Sequence, residues 1–213
     1  MTDVLIMAAG LGTRMKSNRA KVLHEVAGTP LVAHVLRAAF DLKPESVFTV
    51  VGHQAELVEQ AVRDEADRLT EREDAPGTEL RFVHQKEQRG TGHAVLVARA
   101  DLESRGGPLI IIAGDGPMIK GETLRHLVEK HTSEKNDATL LTVEMDDPTG
   151  YGRIIRDDRN RFLRSVEQKD ATPDELAVRE VNVSIYCFEI PALVAALDHL
   201  TTDNAQGEYY LTD

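Results

Sequence analysis

Cysteine is almost missing from the sequence: Cys187 is the only one among 213 residues, so no disulfide can form within the chain. Chains without disulfides are typical of reducing compartments, which favours a cytoplasmic protein. Cys187 lies in the apolar run "VSIYCFEI". This setting predicts a buried core residue.

Long apolar runs are also missing. None approaches the roughly 18 consecutive residues that a membrane-spanning helix requires. The first residues lack the basic and apolar regions of a secretory signal peptide. We therefore expect a soluble protein with no membrane partner.

Positive charge is scarce. The chain has 25 Lys and Arg residues against 36 Asp and Glu residues, a net charge of −11. Because nucleic-acid binding depends on a basic surface, this balance argues against a nucleic-acid partner. It leaves room for a local cationic pocket. With 213 residues the chain can form one large domain or two small ones, and its hydrophobic content of 41% fits a soluble globular protein.

What the sequence does contain is an alternation of apolar and helix-like segments. It predicts strands at Val4–Ala8, "SVFTVVG", "ELRFVHQ", "PLIIIAGD" and "DATLLTVEM", and helices at "TPLVAHVLRAAF", Glu56–Asp67, His93–Leu102 and "GETLRHLVEKH". In the first helix, Thr29 is the expected N-cap and Pro30 the first helical residue. Strands that alternate with helices and carry unbroken apolar runs indicate an α/β fold around a mainly parallel sheet.

The pattern changes after Asp146, where short alternating segments predict a β-rich excursion before a longer strand in "REVNVSIYCFEI". In open α/β sheets, ligands bind at the carboxyl ends of the strands. The loops that follow Ala8, Gln85 and Ala113 are therefore the places where we expect chemistry.

The loop "MAAGLGTRMKSNRAKVLH" follows the first predicted strand. A P-loop would require Lys-Ser/Thr directly after the last glycine, but Thr13-Arg14 follow Gly12. A dinucleotide-binding loop would require a third glycine where Met15 stands and an acidic residue near Gly52-His53, so that interpretation is disfavoured. A triphosphate loop fits better.

In such a loop, small residues let backbone amides approach the phosphates, and cations supply positive charge. Arg14 and Lys21 are the two cations in question. With them, the segment resembles the signature loop of sugar-1-phosphate nucleotidyltransferases, with Met7 at a position where leucine is usual and Ala20 at a position where proline is usual.

Further segments narrow the resemblance, and they occur in order along the chain. The whole set is similar to the uridylyltransferase domains at the N-terminus of bacterial bifunctional N-acetylglucosamine-1-phosphate uridylyltransferases/glucosamine-1-phosphate acetyltransferases. The two most specific segments are "DDPTGYGR" and "NAQGEYYLTD". The others are "QKEQRGTGHA", "AGDGPMI", "VEQKDAT" and "VNVSIYCF".

The resemblance implies a Rossmann-like nucleotidyltransferase fold in a single domain over residues 1–213. Within it, about residues 1–145 would bind the nucleotide and about residues 146–213 the sugar. The family's acetyltransferase domain, which carries its trimerisation element, is absent from this sequence. An asparagine that shares the metal in the family is absent too.

The resemblance also implies a role for individual residues. Asp115 could be a helix cap or turn former, but the family implies that it is a magnesium ligand, and Mg²⁺ suits one or two carboxylates plus substrate phosphates. Arg14 and Lys21 would be catalytic. The implied substrate-binding residues are Ala8, Ala9, Gly10, Gly12 and Thr13 in the loop; Gln85, Gly90 and Thr91 near the uracil and phosphate; and Gly152, Glu167 and Asn182 around the sugar.

Some of these residues also have ordinary structural explanations. "QKEQRGTGHA" could be only a glycine-rich turn before a helix, and Glu167 could be a surface residue. "NVSIY" departs from the Asn-Thr-Gly that is commoner in the family. Either Tyr209 or Tyr210 could close the sugar site.

The implied reaction joins UTP and N-acetylglucosamine 1-phosphate to give UDP-N-acetylglucosamine and pyrophosphate, with Mg²⁺ as cofactor. Two alternatives stay open. The protein could transfer a nucleotide to another sugar or polyol phosphate, or it could bind nucleotides without turnover.

Overall fold

The computed structural model describes residues 2–12, 15–71 and 77–213 of the chain. The strands in these ranges, β1 to β10 in order, are Asp3–Met7, Glu25–Val26, Thr29–Pro30, Ser46–Val51, Glu79–His84, Pro108–Ala113, Ala138–Glu144, Gly152–Arg156, Phe162–Val166 and Glu180–Glu189. The α-helices, α1 to α7, are Leu31–Phe40, Ala55–Glu71, Thr91–Leu96, Arg99–Leu102, Gly121–Glu134, Pro173–Leu176 and Ile190–Ala196. Short 3-10 turns cover Lys21–Leu23 and Leu197–His199.

Eight of these strands form one mixed sheet. Its order is β5-β4-β1-β6-β10-β8-β9, and β7 pairs with β10 beside this path. The strands β5, β4, β1 and β6 pair in parallel, and β10, β7, β8 and β9 join antiparallel. The predicted α/β class, with a β-rich part after Asp146, is confirmed.

The hydrophobic core lies on both faces of this sheet. Val4 and Ile6 of β1 pack into one cluster with α1, α2 and α5, and Leu5 between them packs into the opposite cluster with α3, α4 and α7. Successive side chains of a strand point to opposite faces, so a strand covered on both sides must be apolar throughout. This explains the unbroken apolar runs in β1 and β6.

Several predicted helix limits are wrong, including the end of α5, which continues to Glu134 beyond the predicted His131. Helix α1 begins at Leu31 rather than Pro30, and Thr29 does not cap it, because Thr29–Pro30 pair with Glu25–Val26 as a two-stranded hairpin. Helix α2 continues from Ala55 to Glu71, beyond the predicted end at Asp67.

The helix predicted at His93–Leu102 is two helices, α3 and α4. The Ala98 N–H donates to the Val95 carbonyl three residues earlier, at 3.0 Å, which tightens the chain between them. The sequence has no glycine or proline at this point, so local pattern could not mark the break.

Cys187 is fully buried in the core, as predicted. Burial raises the pKa of its thiol to about 12, so the sulfur stays protonated and unreactive at neutral pH. Among the residues that the structure describes, no helix combines the length and apolar character needed to cross a membrane.

Candidate functional site

Two adjoining cavities lie at the carboxyl ends of the parallel strands. The first cavity has a volume of about 300 Å³ and is lined by residues that follow β1, β5 and β6. The second cavity has a volume of about 550 Å³ and is lined mainly by residues from position 149 onward. Both cavities share one set of lining residues, which we call the junction: Lys21, Thr91, Ala113, Asp115, Ser184 and Glu208.

The junction contains the two oppositely charged residues that the sequence singled out. Lys21 opens the 3-10 turn after Ala20, whose N–H donates to the Gln54 Oε1 at 2.7 Å. Asp115 follows β6 and Gly114, whose N–H donates to the Met7 carbonyl at 2.9 Å. The Lys21 ammonium and the Asp115 carboxylate form an ion pair. A cation and a carboxylate are therefore held together at the sheet edge by separate segments.

Gln85 lies directly after β5 and is almost fully buried. Its Nε2 is 3.3 Å from the Gly90 carbonyl, to which it donates, and 2.9 Å from the His93 Nδ1. These contacts fix the carboxamide at the wall of the first cavity. Both N–H groups of the Nε2 are used in these contacts, so the Oε1, an acceptor, is the atom of this carboxamide that can accept from the N–H of a uracil edge.

Gly90 has a φ of +103°, and a β-carbon there would lie 2.4 Å from the carbonyl oxygen of Tyr209. Only glycine fits this approach. Two hydrogen bonds tie the same segments together: the Tyr209 N–H donates to the Arg89 carbonyl, and the Leu211 N–H donates to the Thr91 Oγ1. The loop after β5 is thus closed against residues 209–211.

The second cavity is lined by Gly152, Glu167 and Asn182, all three predicted for the sugar. Gly152 pairs with Asn182 across β8 and β10. A β-carbon on Gly152 would lie 3.2 Å from the Glu167 Oε1, so glycine at this position leaves room for that carboxylate. Burial, followed by the negative charges of Asp170, Asp213 and Glu208, raises the pKa of Glu167 above its ordinary value.

The two candidate tyrosines have different surroundings. Tyr210 lines the second cavity, and its hydroxyl accepts a hydrogen bond from the Gln206 Nε2 at 2.7 Å. The Tyr209 ring stacks on His93, with 6.1 Å between ring centroids, and lies beneath the guanidinium of Arg89. The geometry therefore favours Tyr210 for a role at the second cavity.

The residues predicted to bind substrate in the loop after β1 differ in their surroundings. Gly10 lines the first cavity. Ala8 and Ala9 are buried. The Ala8 N–H donates to the Val50 carbonyl at 2.8 Å, so this amide already has its hydrogen-bond partner within the sheet. Gly12 supports Lys21, because a β-carbon there would lie 2.6 Å from the Lys21 Cβ. The predicted residues Thr13 and Arg14 lie outside the described residues.

Several lining residues were not among the predicted site residues. Gln88, Ser184, Gln206 and Glu208 are examples. Gln88, Gln206 and Glu208 stand inside "QKEQRGTGHA" and "NAQGEYYLTD", the segments that carried the resemblance. Their position in those segments is the signal that could have identified them.

The described residues contain no group of three or more His, Cys, Asp or Glu side chains arranged to hold a metal ion. Mg²⁺ does not require such a group, since it binds one or two carboxylates and completes its shell with waters and substrate phosphates. Asp115 supplies hard carboxylate oxygens beside an open cavity. The junction fits a magnesium ion held in this way.

Comparison with known proteins agrees with the fold and the motifs. The chain is 48% identical over 209 residues to the bifunctional protein GlmU of Streptococcus sanguinis (strain SK36), a match that covers 98% of this chain and 42% of that protein. It is 47% identical over 210 residues to the bifunctional protein GlmU of Lactobacillus delbrueckii subsp. bulgaricus, covering 99% and 42%. The chain thus spans less than half the length of these relatives.

A solved structure of UDP-glucose pyrophosphorylase complexed with UDP-glucose superposes with a TM-score of 0.77 and 18% identity, over 100% of this chain and 84% of that one. This likeness supports the Rossmann-like nucleotidyltransferase fold expected from the sequence. Residues 4–177 also match the model of the MobA-like NTP transferase domain. Because that match covers most of the chain, the protein belongs to the MobA-like NTP transferase domain family.

Proposed function

We propose that this chain transfers uridylate from UTP to N-acetylglucosamine 1-phosphate, giving UDP-N-acetylglucosamine and pyrophosphate. The observation that carries the proposal is the meeting of two cavities at the Lys21–Asp115 ion pair. Two anionic substrates that must join through their phosphates need two binding spaces with a charged boundary between them. The identity to two bifunctional GlmU proteins supports the same choice of substrates.

Each cavity suits one substrate. We assign the nucleotide to the first cavity, where Gln85 and the Gly90 backbone would read the uracil, and about residues 1–145 to nucleotide binding. We assign the sugar to the second cavity, where Glu167, Asn182 and Gly152 would meet its hydroxyl and amide groups, and about residues 146–213 to sugar binding. Thr91, at the junction, would lie near the sugar phosphate.

The chemistry follows from the charges of the substrates. A phosphate oxygen of the sugar phosphate attacks the α-phosphorus of UTP, the bond from that phosphorus to the bridging oxygen of the β-phosphate breaks, and pyrophosphate leaves with its electron pair. The attacking oxygen is already ionised, so no general base is needed. Catalysis then rests on alignment and on charge neutralisation, for which Lys21 and Arg14 are the cationic residues.

Asp115 would hold a magnesium ion at the junction. When bound, the ion supplies Lewis-acid stabilisation of negative charge on the phosphate oxygens. Lys21, which pairs with Asp115, would contact the same phosphates. The proposal also places the reaction in the cytoplasm, which agrees with the single, buried thiol of Cys187.

Pyrophosphate release is the direct test. The protein is incubated with magnesium, each of UTP, dTTP, GTP and CTP, and a panel of sugar and polyol phosphates. The highest kcat/KM is expected for UTP with N-acetylglucosamine 1-phosphate. A higher value for another pair would reassign the substrates, and nucleotide binding without any pyrophosphate release would reject the enzyme assignment.

A further inference from the structure

Strand β10 changes neighbours in the middle, and the change occurs beside the junction. Val181 and Asn182 pair with β8, and the strand pairs with β6 from Ile185 onward. Between these parts the register with β7 is interrupted, and Ser184 has a φ of +57°. This is the left-handed region, which residues other than glycine rarely adopt.

Two side chains hold the irregular segment in place. The Ser184 N–H donates to the Asn182 Oδ1 at 3.0 Å, and the Asn182 Nδ2 donates to the Tyr186 hydroxyl at 2.8 Å. Asn182 and Tyr186 are both buried. The left-handed conformation of Ser184 is therefore fixed by the fold, at a position where a glycine would be less strained.

Ser184 lines both cavities, and the three consecutive residues 182–184 line the second. In the proposed reaction, the phosphate of the sugar phosphate and the α-phosphate of the nucleotide must meet where the cavities meet. Apart from Ala113, the other junction residues are the charged Lys21, Asp115 and Glu208 and the hydroxyl-bearing Thr91. Ser184 thus brings a neutral hydrogen-bond donor to the place where an anionic group must sit.

We propose that the Ser184 hydroxyl donates a hydrogen bond to the phosphate of the sugar-phosphate substrate, an inference that rests on the proposed function. The alternative is a structural role, in which the serine only supports β10 through Tyr186. Burial raises the pKa of Tyr186, whereas the Asn182 and Ser184 side chains lower it, so a role of Ser184 through Tyr186 must be tested.

Two substitutions separate the roles. Ser184→Gly removes the hydroxyl and relieves the backbone strain, whereas Ser184→Ala removes the hydroxyl and keeps the β-carbon in the strained conformation. Both variants are expected to raise the KM for N-acetylglucosamine 1-phosphate about tenfold, the usual cost of a lost hydrogen bond to a charged group, with the KM for UTP nearly unchanged. Their thermal midpoints are expected to differ, with Ser184→Gly the more stable.

Lys135→Gly is the matched control. Lys135 has a φ of +55° at the C-terminal end of α5 and is exposed, and it lines neither cavity. Its replacement is expected to raise the thermal midpoint without changing either KM.

The inference would be overturned if the KM for N-acetylglucosamine 1-phosphate were unchanged in both Ser184 variants. It would also be overturned if only the KM for UTP changed. A KM that rises in Ser184→Gly but not in Ser184→Ala would assign the effect to the loss of the β-carbon and of its backbone strain rather than to the hydroxyl, and would also overturn the inference. An inactive wild-type protein would instead reject the proposed function, so the two failures are distinct.

Discussion

The ammonium group of Lys21 is paired with the carboxylate of Asp115 at the boundary between the two cavities. Both side chains are partly exposed, by 36% and 26%, so the pair is accessible to solvent and contributes little to folding stability. Such a pair separates at low cost when a phosphate or a cation enters. Each partner can therefore be tested without unfolding the protein.

Asp115→Asn is expected to lower kcat by on the order of 10²-fold or more, because it removes a preorganised charge at the reacting phosphates. The loss of kcat is measured as pyrophosphate release at several magnesium concentrations, and circular dichroism checks that the variant is folded. Asp146→Asn is the control, since Asp146 pairs with Arg179 on the surface and its side chain is fully exposed. Near-normal turnover of the Asp115 variant with unchanged magnesium dependence would remove Asp115 from the site.

Lys21→Ala is expected to reduce kcat by roughly 10²-fold, since its charge matters most while the phosphates rearrange. Lys130→Ala provides the comparison, because Lys130 is exposed and pairs with Glu134 within one helix. Steady-state kinetics and thermal unfolding should be measured on both. If the Lys21 variant loses thermal stability and keeps its kcat, Lys21 has only a structural role.

Glu167→Gln is expected to raise the KM for the sugar phosphate about tenfold with little change for UTP. It should also change how stability depends on pH. The folded state raises the pKa of Glu167, so the folded protein binds the proton more tightly than the unfolded chain. This carboxyl group therefore favours folding below its unfolded pKa and loses that contribution as pH rises through the raised folded value.

Thermal midpoints of the wild type and of Glu167→Gln should thus converge in acid and separate at neutral pH, with the variant more stable at neutral pH. Glu122→Gln, on the exposed start of α5, should show no such separation. Parallel curves for the Glu167 variant and the wild type would contradict the burial argument.

Gly12→Ala tests whether the position of Lys21 depends on the absence of a β-carbon at residue 12. Gly12 has a φ of +64°, and the added β-carbon would lie 2.6 Å from the Lys21 Cβ. Gly28 has a similar φ of +74° with no atom within 4 Å of the β-carbon position. Gly28→Ala should therefore cost only the backbone strain, about 1 kcal/mol, whereas Gly12→Ala should cost roughly 1–3 kcal/mol more and lower kcat. Urea unfolding compares the two, and equal losses would exclude the contact with Lys21.

The sequence was informative where function depends on the ends of strands. The loops after Ala8, Gln85 and Ala113 are predicted to carry the chemistry because each follows an apolar run typical of a parallel strand, and the structure brings Lys21, Gln85 and Asp115 to one cavity. The alternation of apolar runs with helix-like segments is sufficient for that prediction, with no knowledge of side-chain packing.

Other features depend on contacts between distant segments, and local pattern could not supply them. Tyr209 and Tyr210 are adjacent and chemically alike, and only the docking of their segment against His93 decides which ring lines the second cavity. Strand pairing also determines two other features. One is the hydrogen bond from the Ala8 N–H to the Val50 carbonyl, and the other is the left-handed conformation of Ser184.

The closure of the loop after β5 against residues 209–211 has a consequence for how the site is made. The Leu211 N–H and the Thr91 Oγ1, which are 3.1 Å apart, belong to residues separated by 120 positions. During synthesis, almost the whole region proposed to bind the nucleotide is therefore produced long before the segment that closes its loop exists. Contacts across such a distance carry a large loop-closure entropy and form slowly. Binding competence should consequently appear as one of the last events of folding, after the central sheet has formed.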